Sequence, residues 1–187
     1  EAAQEYIYIE NQVFLSRACL DMIHGALERG VLVLALVPAD PMPELSAARS
    51  HPGIAAAYEA LAQCGEYSNF CLAAPAALRP WGYEEIYVHS KAAIIDDAWA
   101  TIGSTNLVFS SFQGDTEMNV SFWDAQTARA FRTQLFNEHG GFSSAEYGGR
   151  EAIEELMEIA RRNSDRREEN QPLQGFLYAI SPSTWAK

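Results

Sequence analysis

Hydrophobic and polar residues follow two different periods at the start of the chain. Residues 6–10 alternate as the two faces of a strand do, and residues 31–37 form a continuous apolar run typical of a strand buried on both faces. Between them, apolar residues recur at helical spacing from Phe14 to Ala26, and Gly30 follows in the position of a helix C-cap. A strand, a helix and a second strand in this order predict a right-handed crossover between two parallel strands.

The middle of the chain alternates between proline-rich segments and apolar runs. Four prolines between residues 38 and 52 predict a long loop, which often lines a site but is equally compatible with a tolerated insertion. The alanine-rich residues 54–63 predict a helix, and residues 67–73 predict a further strand. Residues 74–82, which contain two prolines, predict a second irregular segment.

The next segment predicts a hairpin, a further strand and a helix. Residues 86–95 and 99–102 are apolar and flank the turn-forming pair Asp96-Asp97, which predicts two antiparallel strands. A strand is expected after Glu117, and Asp124 is a good N-cap for a helix that ends near residue 137.

The end of the chain predicts a helical and irregular tail over about residues 149–187. Residues 151–162 favour a helix, residues 163–171 a solvated charged run, and residues 175–180 an apolar segment that packs back on the domain. The elements together predict one α/β domain over residues 1–187, with a mixed, largely parallel sheet and helices on both faces.

Most of the candidate catalytic and binding residues lie in one short pattern. It is H-x-K-x4-D-x6-G-S-x-N, over residues 89–106. Side chains two residues apart on a strand project from the same face, so the spacing predicts His89 and Lys91 side by side. The return strand brings Gly103, Ser104 and Asn106 back towards them. Lys91 supplies positive charge, Ser104 and Asn106 supply neutral donors, and Gly103 lets a ligand approach the backbone. These four residues would bind a tetrahedral anion, and the His89 imidazole would take part in the reaction itself.

Asp96 has two interpretations that the sequence leaves open. It is either an active-site member of the pattern or a turn-capping tether, as aspartates at strand ends usually are, and we favour the tether. The pattern as a whole is specific, because six fixed residues at a background of about 5% each match by chance on the order of 10⁻⁸ times per start position.

The pattern resembles the HKD signature of the phospholipase D superfamily. The resemblance implies cleavage of phosphodiesters through a covalent phosphohistidine, without a metal or another cofactor. Residues 7–14, Ile-Tyr-Ile-Glu-Asn-Gln-Val-Phe, look like the strand and loop before the second HKD motif of phospholipase D proper, so the chain resembles its C-terminal half. The resemblance implies catalytic roles for His89, Lys91, Asp96, Ser104, Asn106 and Glu117, and substrate-binding roles for Asn11, Trp81 and Gly103.

Two of these assignments have plain structural alternatives. Glu117 lies where the family places an acidic residue behind the catalytic histidine, and it would accept a hydrogen bond from the His89 ring and stabilise the imidazolium. Otherwise it is a solvated glutamate before a strand. Trp81 would contact an acyl chain or a headgroup; otherwise it is simply packed, as aromatic loop residues usually are.

Family members build the active site from two HKD copies, and this chain carries one. The residues two positions after the other histidines are not lysine, and His139 has the position of a helix-dipole partner rather than a catalyst. The resemblance therefore implies one half of a pseudodimer, completed by the N-terminal part of a longer chain or by a second copy. The first residue is Glu1, not methionine, which is typical of a piece of a longer protein. The first motif of the family usually supplies the nucleophile, so His89 would be the general acid and then the base.

The composition of the chain disfavours some classes of ligand and of cellular location. A net charge of −12 argues against nucleic acid binding, unless a missing half is basic, and it disfavours strong adsorption to anionic membranes while leaving a zwitterionic headgroup accessible. No run reaches transmembrane length, and we expect a soluble protein, cytoplasmic or peripheral to a membrane rather than secreted. The three cysteines lack zinc-site spacing; their odd number favours free thiols, with a Cys64–Cys71 disulfide left open.

The leading interpretation is phosphodiester hydrolysis at a phospholipid headgroup, with transfer to an alcohol as a variant. The nearer alternative keeps the chemistry and changes the substrate to nucleic acid or another phosphodiester. The farther alternative is an isolated half-domain that turns nothing over and binds a partner or a phosphorylated ligand.

Overall fold

The computed structural model describes residues 2–186, which form one sheet and six α-helices. The strands are β1 (Tyr6–Asn11), β2 (Leu32–Leu36), β3 (Phe70–Arg79), β4 (Gly82–Glu85), β5 (Lys91–Ile95), β6 (Trp99–Gly103), β7 (Asn119–Phe122) and β8 (Leu177–Ala179). The helices are α1 (Arg17–Glu28), α2 (Pro43–Ala47), α3 (Pro52–Cys64), α4 (Phe109–Gln113), α5 (Ala125–Gly140) and α6 (Gly149–Glu168), and a 3₁₀ turn spans Ala48–Ser50.

The strand order is β4-β3-β2-β1-β5-β6-β7, with β8 paired to β3. The crossover through α1 makes β1 and β2 parallel, as predicted, and β2 and β3 are also parallel. The other pairings in residues 2–186 are antiparallel, so the expectation of a largely parallel sheet is wrong. For β3–β4 and β5–β6 the reason is local, because connections of two and three residues are too short for a parallel crossover.

Helices cover both faces of the sheet, which confirms the α/β class. Side chains of β1 alternate, so that Ile7 and Ile9 face α1 and α3 whereas Tyr6 and Tyr8 face α5 and α6. All four side chains are buried, and each face contributes to a separate apolar core. This double coverage explains why β2 is a continuous apolar run.

Two segments predicted to be irregular contain regular structure. The proline-rich loop includes α2 and the 3₁₀ turn, and Pro43 and Pro52 each occupy the first turn of a helix, where proline is tolerated. Residues 74–82 are mostly strand: β3 continues to Arg79 and forms a hairpin with β4. Pro75 does not interrupt β3: it pairs with Leu177 of β8, and its carbonyl oxygen accepts a hydrogen bond from Ile86 N at 2.9 Å.

The predicted tail is an integral part of the domain. Helix α6 buries Ile153, Leu156 and Ile159 against the sheet, and β8 pairs with β3, which confirms the expected apolar return. The predicted charged run is mostly helical: Asn163 is buried inside α6 and donates to the carbonyl oxygens of Gln174 and Leu177. Residues 149–186 therefore complete one core instead of trailing from it.

Two smaller expectations, the cap of α5 and the free thiols, are confirmed. Asp124 caps α5, since its Oδ1 accepts from Thr127 N at 2.7 Å. Cys19, Cys64 and Cys71 are free thiols. In the part of the chain that the structure describes, no helix is both long and apolar enough to span a bilayer.

Candidate active site

The pattern residues meet at one edge of the sheet. Strands β1 and β6 end there and β5 and β7 begin there, because Asn11 pairs with Lys91 and Gly103 pairs with Asn119. The parallel strands also end at this edge, which is where ligands commonly bind in α/β sheets. An open pocket of about 290 Å³ at this edge is lined by His89, Lys91, Gly103, Ser104 and Asn106.

His89 does not lie on a strand, contrary to the expectation. Strand β5 begins at Lys91, and residues 86–90 are irregular because β1 ends at Asn11, opposite Lys91, and offers no partner further on. Because His89 precedes the strand, the two side chains do not share a strand face, although both line the pocket; His89 is exposed whereas Lys91 is only 8% exposed. The His89 ring makes no hydrogen bond with any residue from 2 to 186, so both ring nitrogens are available to a ligand.

Lys91 is held by a residue that the sequence interpretation missed. Its Nζ donates to Oε1 of Gln12 at 3.0 Å and to the carbonyl oxygen of His89 at 2.8 Å. Gln12 in turn donates to the hydroxyl of Tyr87 at 2.8 Å. Burial lowers the pKa of Lys91, and the negative charge of Glu117 partly offsets that effect. The arrangement places a desolvated ammonium beside the imidazole.

Glu117 reaches the pocket through Ser104. The Ser104 hydroxyl donates to Oε2 of Glu117 at 2.5 Å and accepts from Met118 N at 3.0 Å. Hydrogen bonds from Ser104 and Ser111, together with the charge of Lys91, lower the pKa of the Glu117 carboxyl. Among the described residues, no hydrogen bond joins Glu117 to the His89 ring, so the expected contact is wrong for this structure. Both histidine nitrogens are instead free.

Gly103 and Asn106 line the pocket, but the need for glycine comes from the sheet. A Cβ at position 103 would lie 2.1 Å from Oδ1 of Asn119 and 2.4 Å from the carbonyl oxygen of Met118. Glycine is therefore required for β6 and β7 to approach each other, and the expected approach of a ligand to the backbone of Gly103 stays a prediction. The Oδ1 atom of Asn106 is buried and has no partner within residues 2–186.

Asp96 lies outside the pocket, at the opposite end of β5. Its carboxylate accepts from the backbone amides of Gln4 (2.7 Å), Glu5 (3.0 Å) and Tyr6 (2.7 Å). Asp96 follows β5, and Lys91, the pocket residue at the other end of this strand, is five residues away, which corresponds to roughly 17 Å. The tether is thus what the geometry supports, and the active-site assignment of Asp96 is corrected.

Neither Asn11 nor Trp81 is placed to touch a ligand in this pocket. Asn11 is 3% exposed: its Oδ1 accepts from Val13 N and Leu107 N, and its Nδ2 donates to the carbonyl oxygen of Thr105. It therefore ties the loop after β6 to the end of β1. Trp81 is 79% exposed in the turn between β3 and β4 and does not line the pocket.

A second polar cluster lies directly behind the His89 segment. Glu10 accepts from Tyr8, Ser90 and His139, and a largely apolar cleft of about 260 Å³ connects this cluster to His89. The sequence contains one signal for it, the polar run Glu10-Asn11-Gln12 at the end of an apolar strand, and these three residues are all buried. His139 lies in the last turn of α5, as expected of a helix-dipole partner, and it also pairs with Glu10.

A family model described as "Cardiolipin synthase, PLD-like domain" matches residues 1–139. The chain belongs to the phospholipase D-like domain family. This confirms the superfamily to which the HKD pattern pointed.

Curated relatives of this phospholipase D-like domain are longer proteins. Cardiolipin synthase 2 of Staphylococcus epidermidis is 28% identical over 161 residues, which cover 84% of this chain and 30% of the relative. Cardiolipin synthase 1 of Staphylococcus aureus is 25% identical over 132 residues, which cover 70% of this chain and 24% of the relative. The chain thus spans less than a third of the length of either protein.

Among solved structures, NucT from Helicobacter pylori has the same fold. It superimposes with a TM-score of 0.53 over 71% of this chain and 77% of that one, at 19% identity. The mixed sheet flanked by helices is therefore a phospholipase D-like fold. Residues 7–14 had pointed to phospholipase D proper, whereas the two curated relatives above are named as cardiolipin synthases.

Proposed function

We propose that this domain supplies one half of an active site that cleaves a phosphodiester at a phospholipid headgroup and passes the phosphoryl group to water or to an alcohol. The observation that carries the proposal is the pocket at the sheet edge, where a histidine with both ring nitrogens free adjoins a buried ammonium and two polar side chains. The similarity to proteins named cardiolipin synthases favours a phospholipid as substrate.

The reaction needs two histidines in succession. One imidazole nitrogen attacks phosphorus while the bond to the leaving alcohol breaks, and the second imidazole gives that alcohol its proton. The second imidazole then takes a proton from water or an incoming alcohol, which attacks phosphorus as the phosphorus–nitrogen bond breaks. His89 performs the acid and base steps, and a second HKD half supplies the nucleophile.

The remaining pocket residues stabilise charge on the phosphoryl oxygens. The Lys91 ammonium has three protons, of which two are donated to Gln12 and His89, so one is left for a phosphoryl oxygen. The Ser104 hydroxyl now donates to Glu117 and would turn towards the anion when it binds. Asn106 supplies a neutral amide donor. Together these groups match charge spread over equatorial oxygens.

The surface beside the pocket supports a second half. On β6 and β7, Ile102 and Val120 are directly paired and exposed, and Trp123 and Met118 are exposed at the ends of β7. A contiguous group of exposed apolar side chains on an edge strand is typical of an interface. A second HKD half that covers this face would bring its own histidine towards His89.

The test combines a binding measurement with turnover. Isotope-labelled chain is titrated with inorganic phosphate, and headgroup release is measured on choline-phospholipid and phosphatidylglycerol vesicles and on single-stranded DNA, over a range of chain concentrations. We expect phosphate to shift the NMR signals of Lys91 and Asn106, and headgroup release that rises with pairing and is abolished in His89→Asn. The matched control, His24→Asn on α1, should leave both unchanged.

Two outcomes would overturn the proposal. The first is His89-dependent cleavage of DNA with intact phospholipid, which would assign the pocket to a nuclease. The second is the absence of both phosphate binding and headgroup release at every concentration, which would leave a non-catalytic half-domain.

A further inference from the structure

Glu10 is the centre of a buried hydrogen-bond cluster that the reaction scheme does not use. The Tyr8 hydroxyl donates to its Oε1 at 2.7 Å, the Nε2 atom of His139 donates to the same oxygen at 3.1 Å, and the Ser90 hydroxyl donates to Oε2 at 2.5 Å. The cluster joins three parts of the fold: strand β1, the segment before β5, and the end of α5.

The cluster keeps Glu10 ionised although the residue is only 6% exposed. Burial by itself would raise the pKa of this carboxyl. The hydrogen bond from His139, the hydrogen bond from Ser90 and the contribution of Tyr8 outweigh burial, so the pKa lies below its usual value. A buried carboxylate with three donors is stable, whereas one that loses a donor is left partly unsatisfied.

Ser90 connects this cluster to the catalytic histidine. It follows His89 directly, in the segment over residues 86–90 that has no partner strand. Two side-chain hydrogen bonds hold that segment in place. Ser90 bonds to Glu10 of β1, and Tyr87 bonds to Gln12, which follows β1 directly. The position of the imidazole therefore depends on side chains at the end of β1.

The end of α5 is built to present His139 to Glu10. Gly140 packs so closely that a Cβ there would lie 2.6 Å from the Phe142 ring, and Gly141 ends the helix with a φ of 61°. The carbonyl oxygen of His139 accepts from Phe176 N at 2.8 Å. The histidine is thus fixed on both its main chain and its ring.

We propose that His139 is a positioning residue for His89: it holds the Glu10 carboxylate, which through Ser90 fixes the segment that carries the catalytic imidazole. The statement that His89 is catalytic rests on the proposed function, whereas the positioning does not. The groups that face the His139 ring are Glu10 and Tyr8 of β1, Ser90 and His89 of the segment before β5, and Glu138 of α5, which lines the same cleft.

Amide hydrogen exchange tests the positioning without turnover. In His139→Ala, exchange at the hydrogen-bonded amides of the segment, such as that of Ile86, which donates to the carbonyl oxygen of Pro75 at 2.9 Å, should accelerate about tenfold or more, because a donor to a buried carboxylate is lost. His139→Gln keeps an amide donor and should restore part of the protection. His24→Ala, which removes a partly exposed histidine on α1, is the matched control and should leave these amides unchanged.

A pH titration separates positioning from simple packing. Protonation of Glu10 at acid pH should release Ser90, and the NMR signals of residues 86–90 should report the midpoint of that release. Without the His139 donor the pKa of Glu10 rises, so the midpoint should move to higher pH in His139→Ala and part of the way back in His139→Gln.

Unchanged exchange and an unchanged midpoint in folded His139→Ala would overturn the inference, whether or not the chain has enzymatic activity. Where paired chains turn over, the same variant should lower kcat with little change in KM, since the pocket groups that bind phosphate are intact. A loss confined to KM would also contradict positioning of the imidazole.

Discussion

The Nζ atom of Lys91 donates to the carbonyl oxygen of His89 at 2.8 Å. The cation and the imidazole of the pattern are therefore linked through the main chain, and movement of one displaces the other. In this chain the two residues are thus in contact even though they do not share a strand face. Because the Lys91 ammonium is buried, its replacement should affect both the stability of the fold and the reaction.

Replacement of Lys91 by methionine should change the pH dependence of stability. Burial lowers the pKa of Lys91 in the folded chain, so the unfolded chain binds more protons between that pKa and about 10.4. The Lys91 contribution to stability therefore rises with pH through this window and is lost as pH falls below it. Urea unfolding of both proteins from pH 7 to 11 measures the difference, in which other titrating groups largely cancel.

We expect the unfolding free energy of the parent chain minus that of Lys91→Met to increase with pH. A flat difference would show that the ammonium is as well solvated as in the unfolded chain, and a falling difference would show that the charge of Glu117 outweighs burial. In a paired, active form the same variant should lower kcat about 10²–10³-fold, because the pocket loses the one lysine among its five lining residues and with it a permanent positive charge.

Asp96→Asn should act on stability and leave the reaction unchanged. The carboxylate accepts from three consecutive backbone amides at the start of β1, those of residues 4–6, and an amide oxygen accepts less strongly and has one fewer acceptor atom. We expect a loss of about 1–3 kcal/mol in unfolding free energy, with the rate per folded molecule unchanged. Asparagine tolerates the positive φ of 54° at this position, so backbone strain does not confuse the result. A rate loss comparable to that of Lys91→Met would return Asp96 to the active site.

The sequence was most informative where structure depends on near neighbours. The crossover through α1, the hairpin of β5 and β6, and the return of Ser104 and Asn106 towards His89 all follow from short-range periodicity and turn residues. The pocket could therefore be predicted in outline before any coordinates.

The features that the sequence did not predict depend on contacts between residues that are far apart in the chain. His89 leaves the strand because β1 ends opposite Lys91, and Asp96 is a tether because the backbone amides at the start of β1 lie opposite its carboxylate. His139 pairs with Glu10 across 129 positions, and no local pattern reports such a contact. Tertiary packing decides which polar side chains meet, so these roles needed the structure.

A strictly monomeric preparation of the chain should be nearly inactive. It holds one HKD histidine, and removal of a positioned acid or base alone usually costs about 10²–10⁴-fold, while the loss of the nucleophile removes the covalent route. Sedimentation at the assay concentration establishes the oligomeric state, and headgroup release is measured on the same sample. Robust turnover by a demonstrated monomer would show that a single half suffices.

Chelation should leave the activity of a paired form intact. Residues 2–186 contain no cluster of three or more histidine, cysteine, aspartate or glutamate side chains suited to hold a metal, and Lys91 supplies positive charge in the pocket. Activity is measured before and after dialysis against EDTA. Complete loss that one added divalent metal restores would contradict the prediction, whereas partial stimulation by calcium would not, because calcium also alters lipid surfaces.

Ser104→Ala should raise the pKa of the Glu117 carboxyl towards its usual value. The hydrogen bond from the Ser104 hydroxyl contributes most to the lowering of this pKa. The distance between Oγ of Ser104 and Oε2 of Glu117 is 2.5 Å. The carboxyl signal of Glu117 is followed by NMR from pH 2 to 7 in the parent chain and in the variant. Ser121→Ala is the matched control, since Ser121 is exposed on β7 and bonds to Thr101 instead.

The same pair should be coupled in the reaction. If Glu117 acts by orienting the Ser104 hydroxyl, its replacement by glutamine costs rate only while that hydroxyl is present. In a paired, active form, Glu117→Gln and Ser104→Ala should each lower kcat, and the double variant should be little slower than the worse single one. If the two losses multiply, or if Ser104→Ala leaves the pKa of Glu117 where it was, the carboxylate works independently of Ser104, and the short contact between them has no part in the chemistry.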